Sequence, residues 1–253
     1  MRGETSSTRD TLLDGRVSLL QPSRGYRVAI DTLLAAAAVP IRPGQSLLDA
    51  GAGTGALGLC VMARVRGVQL TAVEILDRHV DYLEANLAHA GARIVAGDIT
   101  SDVLRGENFD HVATNPPFFE PGAHRLPRCA SKRSADHAGI DPGSWMEACM
   151  RRTVSGGTLV VINTADKAGL LLSEMSGRFG DLLVVPIFTR PGHPFAHRVI
   201  LRGRKGSRAP LRLHKGLYLR RENGDETDEA RAILRDAAGL DTVMEGTRCS
   251  SRQ

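Results

Sequence analysis

The run Leu47-Leu48-Asp49-Ala50-Gly51-Ala52-Gly53-Thr54-Gly55-Ala56 decides how the chain is read. An apolar strand enters three glycines at alternate positions, and a stretch with helical spacing, Ala56–Arg66, follows. Glycine lets the backbone turn sharply and approach a ligand closely. In a strand-turn-helix unit that ligand sits at the carboxyl end of the strand, against the helix N-terminus. Gly51, Gly53 and Ala56 also fit the relaxed fingerprint of a dinucleotide site, so the glycines alone leave the ligand open. Asp49, two residues before the first glycine, is suited to the ammonium of a methionine moiety. Glu74 ends the next apolar run, 23 positions after Gly51, where a carboxylate accepts both hydroxyls of an adenosine ribose. Asp98, just past the following run, is assigned to the same site.

Outward from this loop, apolar β-rich runs recur at Ser46–Ala50, Val68–Glu74, Arg93–Gly97, His111–Thr114, Thr158–Asn163, Leu182–Ile187 and Arg198–Arg202. Most are continuously apolar, as strands covered on both faces are. Ala56–Arg66, Asp77–Ala90 and Ser144–Thr153 carry helical spacing between them, with Leu76, Val80, Leu83 and Leu87 on one stripe. Alternating strand and helix predicts an α/β fold with a doubly wound, mostly parallel sheet. The last two runs are joined by a short connection holding Pro191, Gly192 and Pro194, too short for a crossover helix. They are expected to form an antiparallel C-terminal hairpin at the sheet edge. The first dozen residues are polar and are expected to fray. Residues 1–40 are read as a lead-in over the ligand site and 41–253 as the α/β domain.

The fourth run passes directly into Asn115-Pro116-Pro117-Phe118. Two prolines end the strand and stiffen the backbone where such a sheet presents its ligands. A planar amino group is a poor nucleophile because its lone pair is delocalised. The side-chain oxygen of Asn115 and the carbonyl of Pro116 suit its two N–H hydrogens, favouring the pyramidal nitrogen. Transfer to such a nitrogen is an in-line displacement driven by positioning and preorganised dipoles, without a metal. Phe118 is placed to stack on a base that has left its stack. The alternative is a Pro-Pro turn with Phe118 in the core.

Charge distribution is more informative than the net charge of +5. Ten Lys or Arg and no Asp or Glu fall between Arg190 and Arg221, whereas the remainder carries 23 basic against 28 acidic residues. Such asymmetry fits a phosphate-backbone contact; a solvated arginine-rich hairpin is the plainer reading. Arg125, Arg128, Lys132 and Arg133, in a loop after the tetrapeptide, suit the phosphates flanking a displaced base or simply a solvated lid. Cys60, Cys129, Cys149 and Cys249 form no C-x-x-C pair and are read as reduced thiols. His193 and His197 lie in a Pro-Gly connection and not on a helix face, so no metal site is expected, and His137, near the loop, is read as a surface histidine and not as a general base. Trp145 and Phe179 read as core. The apolar stretch from Val28 to Pro40 contains Asp31 and is too short to span a bilayer. Met1–Arg9 lacks the apolar core of a secretory signal, so a cytoplasmic protein without a membrane partner is expected.

Taken in order, the glycine loop, the strand-end acid and Asn-Pro-Pro-Phe resemble the class I S-adenosylmethionine-dependent amino-methyltransferases, which include adenine-N6 and glutamine-N5 enzymes. The closer resemblance is to the bacterial tRNA1(Val) adenine-N6 methyltransferase family, from Asp14-Gly15-Arg16 to Leu240. It is carried by Gln21-Pro22, Gly25-Tyr26-Arg27 and Asp31, by residues 115 to 119, and by Arg202-Gly203-Arg204-Lys205-Gly206-Ser207-Arg208. The resemblance implies a seven-stranded Rossmann-like sheet, S-adenosylmethionine as cofactor, and an adenine beside the tRNA anticodon as substrate. It further implies Tyr26, Arg27 and Asp31 near a cofactor held by Asp49, Gly51, Gly53, Gly55, Glu74, Asp98 and Asn115. Arg202, Arg204, Lys205 and Arg208 are then expected to meet RNA. The competing readings are a glutamine-N5 methyltransferase, a non-catalytic RNA-binding protein on the same fold, and a nicotinamide dehydrogenase, which lacks a catalytic pair here.

Overall fold

The computed structural model describes residues 6–24, 27–116 and 141–250. The chain opens with an antiparallel hairpin of β1 (Ser7–Leu12) and β2 (Val17–Pro22). Helix α1 (Ile30–Ala38) follows, and then the alternating units β3 (Ser46–Ala50), α2 (Ala56–Arg64), β4 (Gln69–Glu74), α3 (Asp77–Leu87), β5 (Arg93–Ala96) and β6 (Phe109–Thr114). Beyond them come α4 (Pro142–Arg152), β7 (Thr153–Thr164), α5 (Ala168–Met175), β8 (Phe179–Phe188), β9 (Arg198–Lys205), β10 (Arg212–Leu213), β11 (Leu217–Tyr218), α6 (Asp228–Leu234) and α7 (Leu240–Ser250).

One sheet runs in the order β10-β8-β9-β7-β6-β3-β4-β5, with β11 also paired to β8. Strands β5, β4, β3, β6 and β7 are mutually parallel, as the continuously apolar runs predict. Seven strands exceed two residues, and β10 and β11 add two short parallel pairings outside them. The β8–β9 hairpin is antiparallel as expected, but it does not form the sheet edge. Strand β9 inserts between β7 and β8, and β10 and β11 cover the far side of β8.

Consecutive residues of each strand face opposite helical layers. Leu47, Leu70, Ala113, Val160 and Ile200 pack with α1 and α2, whereas Leu48, Val73, Val112, Leu159 and Leu201 pack with α4. Trp145 and Phe179 lie in the second layer, as the sequence suggests, and Leu76, Val80, Leu83 and Leu87 of the α3 stripe are all buried. Full burial of one such side chain contributes about 1.5–3 kcal/mol.

The first dozen residues do not fray as a whole: Ser7–Leu12 is a six-residue strand. Its own side chains are at most half-buried, so its polarity is real. Its partner β2 buries Val17 and Leu19, and the turn residue Leu13 is buried as well. The hairpin is held by its partner strand and not by its own composition. Likewise α1, inside the expected lead-in, contributes Leu33, Leu34 and Ala35 to the core of the α/β domain.

Candidate active site

The carboxyl ends of β3, β4, β5 and β6 converge on the glycine loop. Gly51, Gly53 and Gly55 all have positive φ (73°, 57° and 88°), a region that side chains of L-residues disfavour. At Gly51 there is a second constraint, because a Cβ would lie 2.8 Å from Cη2 of Trp145. At Gly53 a Cβ would meet nothing within 4 Å, so the loop leaves open space on that side.

Glu74 closes the loop from beside it. Its carboxylate accepts the backbone N–H of Gly53 at 2.8 Å, of Ile75 at 3.0 Å and of Leu76 at 2.9 Å. Asp49 is buried and accepts the N–H of Gly58 in the first turn of α2 at 3.1 Å. Burial pushes its pKa up to about 7, against the lowering by that hydrogen bond and with the nearby Glu74 charge adding to the rise. Asp98, half-buried beyond β5, accepts from the N–H and the hydroxyl of Thr100 through one carboxylate oxygen, both at 2.8 Å.

Asn115 and Pro116 follow β6 directly, half-buried and buried respectively. The residue before them is locked: Trp145 donates from Nε1 to Thr114 Oγ1 at 3.2 Å, and Thr114 donates to the carbonyl of Ala50 at 2.8 Å. The end of β6 is thereby tied to the entrance of the glycine loop. Asn86 of α3 supplies a second clamp. Its side chain accepts from Leu20 N–H at 2.7 Å and donates to the carbonyls of Leu20 and Thr54 at 2.8 and 2.9 Å, joining β2 to the loop.

These geometries accompany a clear likeness to known proteins. Residues 26–131 match the methyltransferase small domain family. The chain has the class I methyltransferase fold, and the family match covers less than half of its length. A tRNA1(Val) (adenine(37)-N6)-methyltransferase of Shewanella sp. (strain MR-4) is 33% identical over 105 residues, 39% of this chain and 44% of that protein. One from Tolumonas auensis is 28% identical over 153 residues, 58% of this chain and 63% of its own length. The chain thus spans less than two thirds of these relatives. A predicted O-methyltransferase of Agrobacterium tumefaciens superposes with a TM-score of 0.68 at 25% identity, covering 83% of this chain and 98% of that one. A 16S rRNA N2 G1207 methyltransferase of T. thermophilus, in complex with AdoMet and guanosine, shares the fold at a TM-score of 0.53 and 21% identity, over 79% of this chain and 50% of that one. The class I sheet expected from the sequence is present.

The glycine loop and the strand ends beside it present a donor and acceptor set that suits S-adenosylmethionine. The open space at Gly53 adjoins Glu74, which ends β4, and Asp98 lies two residues past the end of the neighbouring strand β5. Arg27 pairs with Asp10 at 2.7 Å, and Asp31 with Arg198 Nε at 2.6 Å. Tyr26, Pro117, Phe118, Arg125, Arg128, Lys132 and Arg133 lie outside the described residues.

The basic segment is divided between two edges of the sheet. Arg204 is opposite Thr158, which is opposite His111, at the amino end of β6. Asn115 is four positions beyond His111, roughly 13 Å along a strand. Arg202 is largely buried, donates twice to Asp241 at 2.9 and 2.7 Å, and also donates to the carbonyl of Ala38. Lys205 donates to the carbonyls of Met150 and Thr153, closing the C-terminus of α4, and burial lowers its pKa. Arg204 and Arg208 are exposed. No helix among the described residues is long and apolar enough to cross a membrane. Cys60 and Cys149 are buried free thiols, each pushed up to about 12 by burial.

Asn86 and the Trp145–Thr114 pair were not singled out as site residues by sequence. Asn86 carried a signal, since asparagine is a weak helix former in mid-helix unless its side chain has other work. Trp145 carried none beyond being the only tryptophan.

Proposed function

We propose that the chain transfers a methyl group from S-adenosylmethionine to the exocyclic N6 of an adenine in RNA, with tRNA near its anticodon as substrate. The observation that carries this reading is Asn115-Pro116 at the carboxyl end of β6, braced to the glycine loop through Thr114. The partial similarity to tRNA adenine-N6 enzymes supports the choice of base and of RNA.

In this reading Glu74 and the backbone of Gly51, Gly53 and Gly55 hold the cofactor's nucleoside end, with Asp98 beside them. Glu74 then has two tasks, shaping the loop through Gly53 and accepting ribose hydroxyls. Asp49 acts through α2, whose first turn it caps, and its partly neutralised carboxyl meets the amino-acid end. S-adenosylmethionine, when bound, supplies an electrophilic methyl on a sulfonium. The Asn115 side-chain oxygen and the Pro116 carbonyl accept the two N–H groups of the target amine. The nitrogen becomes pyramidal, its lone pair forms the new N–C bond as the S–C bond breaks, and one amino proton passes to solvent. Pro117 and Phe118 complete the cradle in this assignment, the phenyl ring stacking on the base.

The deciding experiment transfers labelled methyl from S-adenosylmethionine to bulk RNA, DNA and protein from cells lacking this gene, with each fraction digested. N6-methyladenosine in the tRNA fraction is the expected product. Label as N5-methylglutamine in protein, or no label despite cofactor binding, overturns the reading.

A further inference from the structure

The sheet places a second cluster of chemistry on the edge that carries Asn115. Strand β9 is antiparallel to β7, and β8 to β9, so β8 ends at the same edge as β6. The nine residues Thr189–His197 connecting β8 to β9 therefore stand on the candidate catalytic edge, unlike Arg204 and Arg208. In strand spacings, the start of β9 is roughly 10 Å from β6, the end of β8 roughly 14 Å and the end of β11 roughly 19 Å.

This connection is stiff and presents an aromatic ring. Pro191 and Pro194 restrict it, and Gly192 turns it at a φ of 82°. Phe195 is 82% exposed. Its neighbours are Arg190, His193 and His197, all exposed, and Arg190 has no carboxylate partner among the described residues. No Asp or Glu occurs from Leu182 to Arg221.

A cavity of about 560 Å³ adjoins the connection at Pro191 and continues along the edge under β11. Tyr218 lines it, with one side of its ring stacked on Phe188 at a centroid distance of 5.0 Å and 19° between planes. Gly216 permits that stack, because a Cβ there would lie 2.6 Å from the Phe188 ring. Lys215, Arg220 and Asn223 line the same cavity, as do Glu222 and Glu229. An aromatic face with cations, an amide and carboxylates matches the base, phosphate and ribose hydroxyls of one nucleotide.

We infer that Phe195 and the cavity beside Tyr218 form a docking track for the single-stranded RNA flanking the target base. Phe195 stacks on a base near the target, Arg190 meets the intervening phosphate, and the cavity receives a nucleotide further along. This rests on the RNA reading proposed above. Base–aromatic stacking has no sequence requirement, so the track holds the strand while Asn115 selects the amine.

The test compares the parent protein with Phe195→Ala, Phe195→Tyr and Arg190→Ala. The probes are unfractionated tRNA lacking the modification and free adenosine, each with S-adenosylmethionine. Phe195→Ala is expected to raise KM for tRNA about fivefold or more, leaving cofactor affinity and turnover of free adenosine at parental values, and Phe195→Tyr to restore KM. Arg190→Ala is expected to flatten the salt dependence of tRNA binding by about one phosphate contact. A parent that methylates tRNA with a KM unchanged in Phe195→Ala overturns the track alone. A parent that neither binds nor methylates tRNA overturns the RNA reading and the track with it.

Discussion

Trp145 donates its indole N–H to the hydroxyl of Thr114 at 3.2 Å, and the same ring stands where a Cβ of Gly51 would be, 2.8 Å from Cη2. One core side chain thus sets the end of β6 and the first turn of the glycine loop together. Thr114→Val is expected to strand the buried Nε1 and the Ala50 carbonyl, lowering stability by about 2 kcal/mol. Gly51→Ala meets both the positive φ and the ring, and is expected to weaken cofactor affinity as well. Denaturant unfolding and calorimetric titration with S-adenosylmethionine check the pair, and a Gly51→Ala protein with parental affinity contradicts the account.

Asn86 makes three hydrogen bonds to backbone on two different elements. Asn86→Ala is expected to cost about 2–3 kcal/mol and to speed hydrogen exchange at the Leu20 amide. Asn86→Asp should not restore protection, since a carboxylate then faces the carbonyls of Leu20 and Thr54.

Asn115→Ala is expected to abolish methyl transfer while S-adenosylmethionine still binds near parental affinity, because the change removes an acceptor for the target amine and leaves the glycine loop and Glu74 in place. Single-turnover kinetics beside equilibrium binding separate the two effects. Substantial turnover in this variant sinks the two-acceptor scheme.

The raised pKa of Asp49 has a definite consequence. Its folded value of about 7 exceeds the usual 3.8. Its contribution to stability is therefore complete below about pH 4 and is lost as pH rises to about 7. His111 runs the other way: burial lowers its pKa to about 4, so its contribution is present above about 6.5 and is lost as pH falls to about 4. Asp49→Asn is expected to raise Tm at pH 8 relative to the parent and to leave only the acid-side loss. Parallel Tm profiles for parent and variant over pH 4–8 would show that Asp49 stays ionised.

Arg202 and Arg204 are two residues apart and have different environments. Arg202→Ala removes both hydrogen bonds to Asp241 and the one to Ala38, and is expected to destabilise by about 1–2 kcal/mol. Arg204→Ala, and Arg208→Ala still more, should change stability by less than about 0.5 kcal/mol. Thermal melts distinguish them, and equal losses from all three contradict the division of the segment.

The sequence by itself determined the alternating fold, because strands covered on both faces must be continuously apolar and their connecting helices must carry a stripe. It also determined the glycine loop, since positive φ at three alternate positions admits little but glycine, and the proline-marked end of β6. Local composition was silent wherever one segment is held by another. The polar strand β1 is stable through β2, α1 is core because the parallel sheet needs a helix on that face, and β9 lies inside the sheet because it pairs with β7 on one side and β8 on the other. Charge was legible as a count but not as a position. Only the tertiary structure decided that Arg202 and Lys205 serve the framework, that Arg204 lies at the amino edge, and that Phe195 and Arg190 share the edge of Asn115. Strand direction sets those edges, and direction is a property of pairing between distant segments.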